Sequence, residues 1–398
     1  MTQVFLVDAC RTPVGRYRGG LAAERPDDLL ALVLGRLLER NPSVPVTAIE
    51  DVVIGATNQA GEDNRNVARM AALLAGWPVS VTGSTVNRLC GSGLQAVNSA
   101  ASLLAAGNGD IAVAGGVESM TRAPFVMPKP DAGFPREQRV YDTTIGWRLT
   151  NPRMPPEHTL AMGETAEVLA REFAIPREEQ DAFALESHRR AVAAQDAGCF
   201  SEEIVPVTTR KGREAVTVSA DEGPRRDASV AALSKLAPAF VEDGTVTAGN
   251  SSPLNDGAAA VLLATEAGIE RHGLTPVARI VAHAVAGVEP ARMGIGPVPA
   301  MRRALERAGW SLDDLAIVEL NEAFAAQSLA VLRELPVERE RVNPLGGAIA
   351  LGHPIGCSGA RIMTTLLHEL RRRPAGTRAA ETMCIGVGQG IATLLERV

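Results

Sequence analysis

At 398 residues the chain is too long for one simple core, and two or three domains are expected. Its 46% hydrophobic and 22% charged residues are those of an ordinary globular protein, while a net charge of −6 and 3% aromatics argue against the basic or base-stacking surfaces of a nucleic-acid binder. No apolar run is long enough to span a bilayer, and the opening MTQVFLVDACRTPVG lacks a basic n-region and is interrupted by Asp8, so a cytoplasmic location is expected.

Five cysteines, Cys10, Cys90, Cys199, Cys357 and Cys384, are scattered without CxxC spacing. An odd, scattered set forms neither a disulfide framework nor a zinc site, so free thiols are expected.

In chain order, the first clear element is Asp51-Val52-Val53-Ile54-Gly55, short, apolar and β-branched, which suits a strand buried on both faces. Next comes Asn87-Arg88-Leu89-Cys90-Gly91-Ser92-Gly93 before a helix marked by Leu94, Val97, Ala101 and Leu104 and stopped at Gly107-Asn108-Gly109. A cysteine at a helix N-terminus is placed to become a thiolate, since the dipole there brings cysteine pKa values from ~8.5 to within ~3.5–7.5. Gly91 and Gly93 admit a substrate close to the backbone. The competing reading is a small buried cysteine.

The stretch from Glu118 to Ala248 has a different character, with proline-rich and charged segments such as PFVMPKPDAGFP and PRMPPEH. It holds one convincing helix, from about Arg177 to Ala197, with an acidic first turn and Gly198 as stop. We read it as a large insertion. Further on, Leu315–Leu320 reads as a second buried strand and Gly346 to Gly356 as a glycine-rich loop carrying His353 and Pro354. A histidine among such small residues has room for a ligand and is able to accept a thiol proton, the alternative being a loop histidine bonded to backbone. Ala360, Met363, Leu367 and Leu370 mark the next helix. Met383-Cys384-Ile385-Gly386-Val387-Gly388-Gln389-Gly390 then places a thiol on a strand before alternating glycines. Cys384 is either an acid/base thiol beside an oxyanion-binding backbone or a core-filling residue. GVGQG lacks the Lys-Ser/Thr of a P-loop, and there is no GxSxG.

An internal repeat organises these pieces. TAIEDVVIGATNQA at Thr47 matches SLDDLAIVELNEAF at Ser311, bringing Asn58 and Asn321 to within one position of each other. CGSGLQAVNSAASLL at Cys90 matches GCSGARIMTTLLHEL at Gly356, placing Cys90 opposite Gly356. IAVAGGVES at Ile111 and MCIGVGQG at Met383 close each unit. Alternating strands and helices, duplicated, indicate an α/β fold.

NRLCGSGLQAV, TAGNSSPLNDGAA, NEAFA, GGAIALGHPIGCSGAR and CIGVGQG, in that order across essentially the whole chain, resemble the thiolase family. The resemblance implies a five-layered αβαβα fold of two duplicated halves: residues 1–117 completed by 249–272, an inserted loop domain at 118–248, and residues 273–398. It also implies an acyltransferase that cleaves or forms a carbon–carbon bond beside a coenzyme A thioester. In that scheme Cys90 is acylated, His353 activates it, and Cys384 moves the proton of the substrate's α-carbon. Asn321 holds a water that forms one oxyanion hole with His353, and the N–H groups of Cys90 and Gly386 form the other. Ser252, Arg225 and Ala248 fall at coenzyme A contacts, and Met162 and Met293 along the acyl pocket. Coenzyme A and acetyl-CoA are substrates, no metal or permanent cofactor is required, and a homo-oligomer, dimer or homotetramer, is implied.

One position departs from acetoacetyl-type members, which often carry His where this chain has Ala161. The stretches Gln59–Asn66, Arg122–Met127 and Asp142–Arg148 resemble family members that cleave 3-oxoadipyl-CoA in aromatic-acid breakdown, with Arg148 a candidate partner for the distal carboxylate. Arginines that only fix the loop or an interface are the competing reading. The alternatives are an acetoacetyl-CoA or general 3-ketoacyl-CoA thiolase, a decarboxylating condensing enzyme on the same fold, and a non-catalytic lipid-carrying relative.

Overall fold

The computed structural model of the chain describes residues 2–131 and 133–398. The strands that matter for the site are β1 (Val4–Arg11), β2 (Ile49–Gly55), β3 (Thr82–Val86), β4 (Ile111–Ser119), β5 (Asn255–Thr265), β6 (Ala278–Gly287), β7 (Ile317–Leu320), β8 (Arg378–Ile385) and β9 (Gln389–Arg397). The helices are α1 (Pro26–Arg40), α2 (Val67–Leu74), α3 (Ser92–Ala105), α4 (Met162–Glu172), α5 (Arg177–Asp196), α6 (Pro297–Ala308), α7 (Ala325–Glu334) and α8 (Ser358–Arg371).

The repeat read from sequence is a repeat of topology. The main sheet runs β7-β8-β9-β6-β1-β5-β4-β2-β3. Read outward from its centre, each half has its first strand innermost, then its last, then its fourth, then its second. In the first half this is β1-β5-β4-β2, with β3 at the edge. In the second it is β6-β9-β8-β7, with a parallel bridge from Val318 to Val342 standing where β3 would be. At the centre β1 meets β6 through a short pairing, Phe5 opposite Arg279 and Leu6 opposite Ala278.

Alternation along the strands sorts side chains into layers, because successive residues face opposite sides. Val52, Ile54 and Val113 face outward to a core with α1 and α2. Val53, Ala112 and Ala114 face inward, into a core shared with α3, α8, Ile317, Met383 and Ile385 of the other half. Val318, Leu320 and Ala380 face the far side, against α6 and α7. The result is the five-layered αβαβα arrangement, with α3 and α8 in the central layer. The Leu94, Val97, Ala101 and Leu104 stripe and the Ala360, Met363, Leu367 and Leu370 stripe are buried there, as expected. The long helix of the intervening region spans Arg177–Asp196, and Gly198 beyond it takes φ +70°. The β4 strand continues through Glu118 and Ser119.

The two central helices touch at equivalent glycines. A Cβ on Gly93 would lie 2.6 Å from the Ala360 nitrogen, and one on Gly359 would collide with the Leu94 nitrogen. Gly93 and Gly359 are each the second residue of their helix. Gly93→Ala is therefore expected to destabilise the fold by about 1–3 kcal/mol through overpacking against backbone. The denaturation midpoint measures this, and an unchanged midpoint would show that the helices separate freely.

Candidate active site

The close crossing brings three loops together. The first precedes α3. Leu89 takes φ +47°, a left-handed conformation unfavourable for a branched side chain. Asn87 Oδ1 accepts the Leu89 N–H at 2.9 Å, and the Ser92 hydroxyl donates to Leu89 O at 2.6 Å while accepting Arg88 N–H at 2.9 Å. Arg88 ties the loop to the other half by donating to Gln389 Oε1 at 2.8 Å. Cys90 follows, half-buried and opening into a cavity.

The second loop carries His353, 7% exposed. Its backbone N–H donates to Asn255 Oδ1 at 2.9 Å, and its Nδ1 lies 2.5 Å from the Ser358 hydroxyl. That hydroxyl donates its single proton to Pro354 O at 2.9 Å. It therefore accepts from His353, which places the proton on Nδ1 and leaves Nε2 with a free lone pair. Nε2 has no hydrogen-bond partner among the described residues.

The third loop joins β8 to β9, with Val387 at φ +59° and Gly388 at φ +70°. It sets Gly386 against the first loop, where its N–H and that of Cys90 itself favour the charged form of the Cys90 sulfur. A Cβ on Gly386 would come within 3.2 Å of Trp147 and 3.4 Å of Leu89 and Met162. Cys384, at the end of β8, is 1% exposed and packs with Met293, Phe324 and Met162. Asn321 follows β7, which pairs with β8, and its N–H donates to Thr382 O at 3.0 Å. Both amide atoms of its side chain are buried without a partner among the described residues.

Burial moves the titrating groups in opposite directions. The Cys90 thiol is pushed up to about 11, chiefly by burial, against the opposing pull of the two N–H groups. The expectation was a thiolate stabilised by the helix; α3 starts two residues later, at Ser92, and burial favours the protonated thiol. Burial raises Cys384 still further, with a contribution from neighbouring Cys90. His353 is lowered to about 4 by burial and then by Arg361. The resting pair is a neutral thiol and a neutral imidazole.

A cavity of about 430 Å³ opens from Cys90 and is also lined by Gly386, Met162, Trp147, Arg148 and Glu118. Arg148 forms no ion pair or hydrogen bond among the described residues, whereas Arg122 is held by Glu62. His353, Cys384, Asn321 and Met293 are buried and are not among the residues that line it. A second cavity, of about 530 Å³, is lined by Arg16, Arg225, Leu233, Ala248, Ser251 and Leu254 among others. Arg225 and Ala248 thus lie apart from Cys90, and Ser252 adjoins that lining, its N–H donating to Ala323 O at 3.0 Å. Sequence reasoning missed Ser358, Asn255 and Glu118. Ser358 sits five residues after His353, a signal that was visible, whereas Asn255 and Glu118 reach the loop only through the fold.

Comparison with known proteins decides the family. Residues 4–267 match the Thiolase, N-terminal domain family and residues 274–397 the Thiolase, C-terminal domain family. The chain belongs to the thiolase family. Like its relatives, this thiolase is an acyltransferase. It is 56% identical over 402 residues to the 3-oxoadipyl-CoA/3-oxo-5,6-dehydrosuberyl-CoA thiolase of Escherichia coli K12, covering all of both chains. It is 54% identical over 399 residues to a beta-ketoadipyl-CoA thiolase of Pseudomonas aeruginosa, covering 100% of this chain and 99% of that one. The crystal structure of the Bacillus anthracis acetyl-CoA acetyltransferase superposes with a TM-score of 0.94 at 43% identity, covering 100% of this thiolase and 99% of that chain.

The raised thiol predicts a pH dependence. Alkylation of Cys90 by iodoacetamide should accelerate about tenfold per pH unit from pH 7 towards pH 10, because only the thiolate reacts and its fraction grows until pH passes about 11. Peptide mass spectrometry follows it, and a rate already level at pH 7 would contradict the raised value.

Proposed function

We propose that this thiolase cleaves 3-oxoadipyl-CoA with coenzyme A to succinyl-CoA and acetyl-CoA, through an acyl-enzyme on Cys90. The observation that carries the substrate is the unpaired Arg148 guanidinium in the cavity that opens from Cys90, a counter-charge for a distal carboxylate. The names of the relatives at 54% and 56% identity support the same choice.

In this reading Cys90 sulfur attacks the β-keto carbon as His353 Nε2 takes the thiol proton. A neutral base and a high thiol pKa make proton transfer accompany bond formation rather than precede it. The bond between the α- and β-carbons then breaks, and Cys384, kept protonated by burial, gives its proton to the α-carbon of departing acetyl-CoA. Coenzyme A then gives its thiol proton to the Cys384 thiolate and its sulfur attacks the acyl group; the bond to Cys90 sulfur breaks, Cys90 takes its proton back from His353, and the shortened acyl-CoA departs. Two oxyanions arise along this path, one on an enolate-like thioester and one tetrahedral. The Cys90 and Gly386 N–H groups serve one. Protonated His353 and a water held by the unpartnered Asn321 amide serve the other. Splitting the reaction this way replaces one hard step by two easier ones.

The second cavity suits coenzyme A: Arg16 and Arg225 face its phosphates, Leu233 and Leu254 its apolar arm, with Ala248 and Ser252 beside it. Met162 and Met293 flank the acyl end. We further assign residues 1–117 with 249–272 to one half, 273–398 to the other, and 118–248 to a loop domain over the substrate. A homo-oligomer, a dimer or a dimer of dimers, is supported by the open edge of β3 and by the exposed apolar side chains of Leu74, Val79, Phe125 and Met127. Five free cysteines accord with a reducing cytoplasm.

Comparative kinetics test the substrate. 3-Oxoadipyl-CoA should exceed acetoacetyl-CoA in kcat/KM, and Arg148→Gln should cost it about 10-fold or more, the scale of a lost charge-assisted contact, while leaving acetoacetyl-CoA within about twofold. A higher kcat/KM for acetoacetyl-CoA would overturn the assignment.

A further inference from the structure

We propose that Glu118 is a positioning residue that clamps the His353 loop to the half of the molecule bearing Cys90. The proposal rests on the acyl-enzyme reading above and adds a residue to it.

Glu118 is the repeat counterpart of Cys384. Cys90 and Gly356 are separated by the same number of residues as Glu118 and Cys384. The sheet register agrees independently: Glu118 pairs with Gly257 on β5, and Cys384 with Gly390 on β9, each one residue before the end of its strand in an antiparallel pair. Where the second half presents a thiol at the end of its strand, the first half presents a carboxylate.

That carboxylate is 2% exposed and forms no ion pair among the described residues. It is held by hydrogen bonds alone. Glu118 Oε2 accepts the N–H of Thr57 at 3.0 Å, the Thr57 hydroxyl, and the N–H of Gly356 at 2.8 Å, while Oε1 accepts the N–H of Asn58 at 3.2 Å. Thr57 and Asn58 follow β2 in the first half, and Gly356 lies three residues after His353 in the second. One side chain therefore fastens the His353 loop across the boundary between halves, within the lining of the cavity that holds Cys90. The fit is tight, since a Cβ on Gly356 would stand 2.6 Å from Glu118 Oε2 and 2.7 Å from Ala56 Cα. A buried acceptor loses specificity as well as energy when its donors go unpaired. Glutamine in its place would turn an amide N–H₂ towards at least one of these donors.

The test compares Glu118→Gln with Val52→Ala, a cavity-forming change in the buried outer face of β2 that removes none of the hydrogen bonds to Glu118. Wild type, which should form acyl-Cys90 with acetyl-CoA, is the reference. Glu118→Gln should lower kcat for thiolysis by between about 10- and 100-fold, the cost of misplacing a reacting group, with KM for coenzyme A within about twofold. Val52→Ala should lose melting temperature but keep kcat. Should Glu118→Gln fail to fold, Thr57→Val, which removes one donor, should give a several-fold fall in kcat at constant KM. The proposal is overturned if kcat stays within twofold in Glu118→Gln, or in Thr57→Val where only that variant folds, or if Val52→Ala loses kcat as much at equal loss of melting temperature. Absence of acyl-Cys90 in wild type would instead overturn the underlying reading.

Discussion

Everything at this site depends on how closely two helices cross. The N-terminal turns of α3 and α8 meet at Gly93 and Gly359, where backbone packs on backbone. No side chain larger than hydrogen fits, so the crossing fixes the relative position of the loops ahead of each helix. Those loops carry Cys90 and His353. The crossing lies where the two halves face each other, which is why a duplicated chain builds one asymmetric site rather than two copies. Gly91 continues the contact, since a Cβ there would stand 2.6 Å from Ile385, one residue after Cys384.

Burial within this contact decides the charge states. A thiol raised to about 11 and an imidazole lowered to about 4 are both neutral at neutral pH. Neither shift arises from a specific counter-charge. Both come first from desolvation, which disfavours whichever form is ionised. The consequence is a nucleophile that is quiet until substrate arrives. The single hydroxyl proton of Ser358, committed to Pro354 O, keeps the His353 lone pair on the nitrogen left without a protein partner.

Much of the fold was legible because the repeat is written in residues. Matching Cys90 with Gly356 places the two central helices, and the apolar stripes of α3 and α8 give their faces without structure. The five layers came from the family resemblance, because Val52, Val53 and Ile54 are apolar on both faces and carry no alternation that would sort them in the sequence. The cysteine motif suggested a thiolate by its place before a helix, and that inference failed because sequence does not report depth. The helix field acts within the first turn, which begins at Ser92, while burial disfavours the charged form of the Cys90 thiol. Asn255 and Glu118 could not be read either. Each acts from a strand 98 and 238 residues from its partner in the histidine loop, a distance closed only by the sheet. Arg148 was read as a candidate among several arginines, and the fold separates it from Arg122, which Glu62 holds.

The central claim is that both halves serve one nucleophile. Peptide mass spectrometry after incubation with acetyl-CoA and rapid acid quench tests it most directly. The account predicts one acetyl group per chain, carried by the Cys90 peptide, absent in Cys90→Ala and strongly slowed in His353→Ala. An acetyl group on Cys384 or Cys199 instead, or equal labelling of Cys90 without His353, would contradict it.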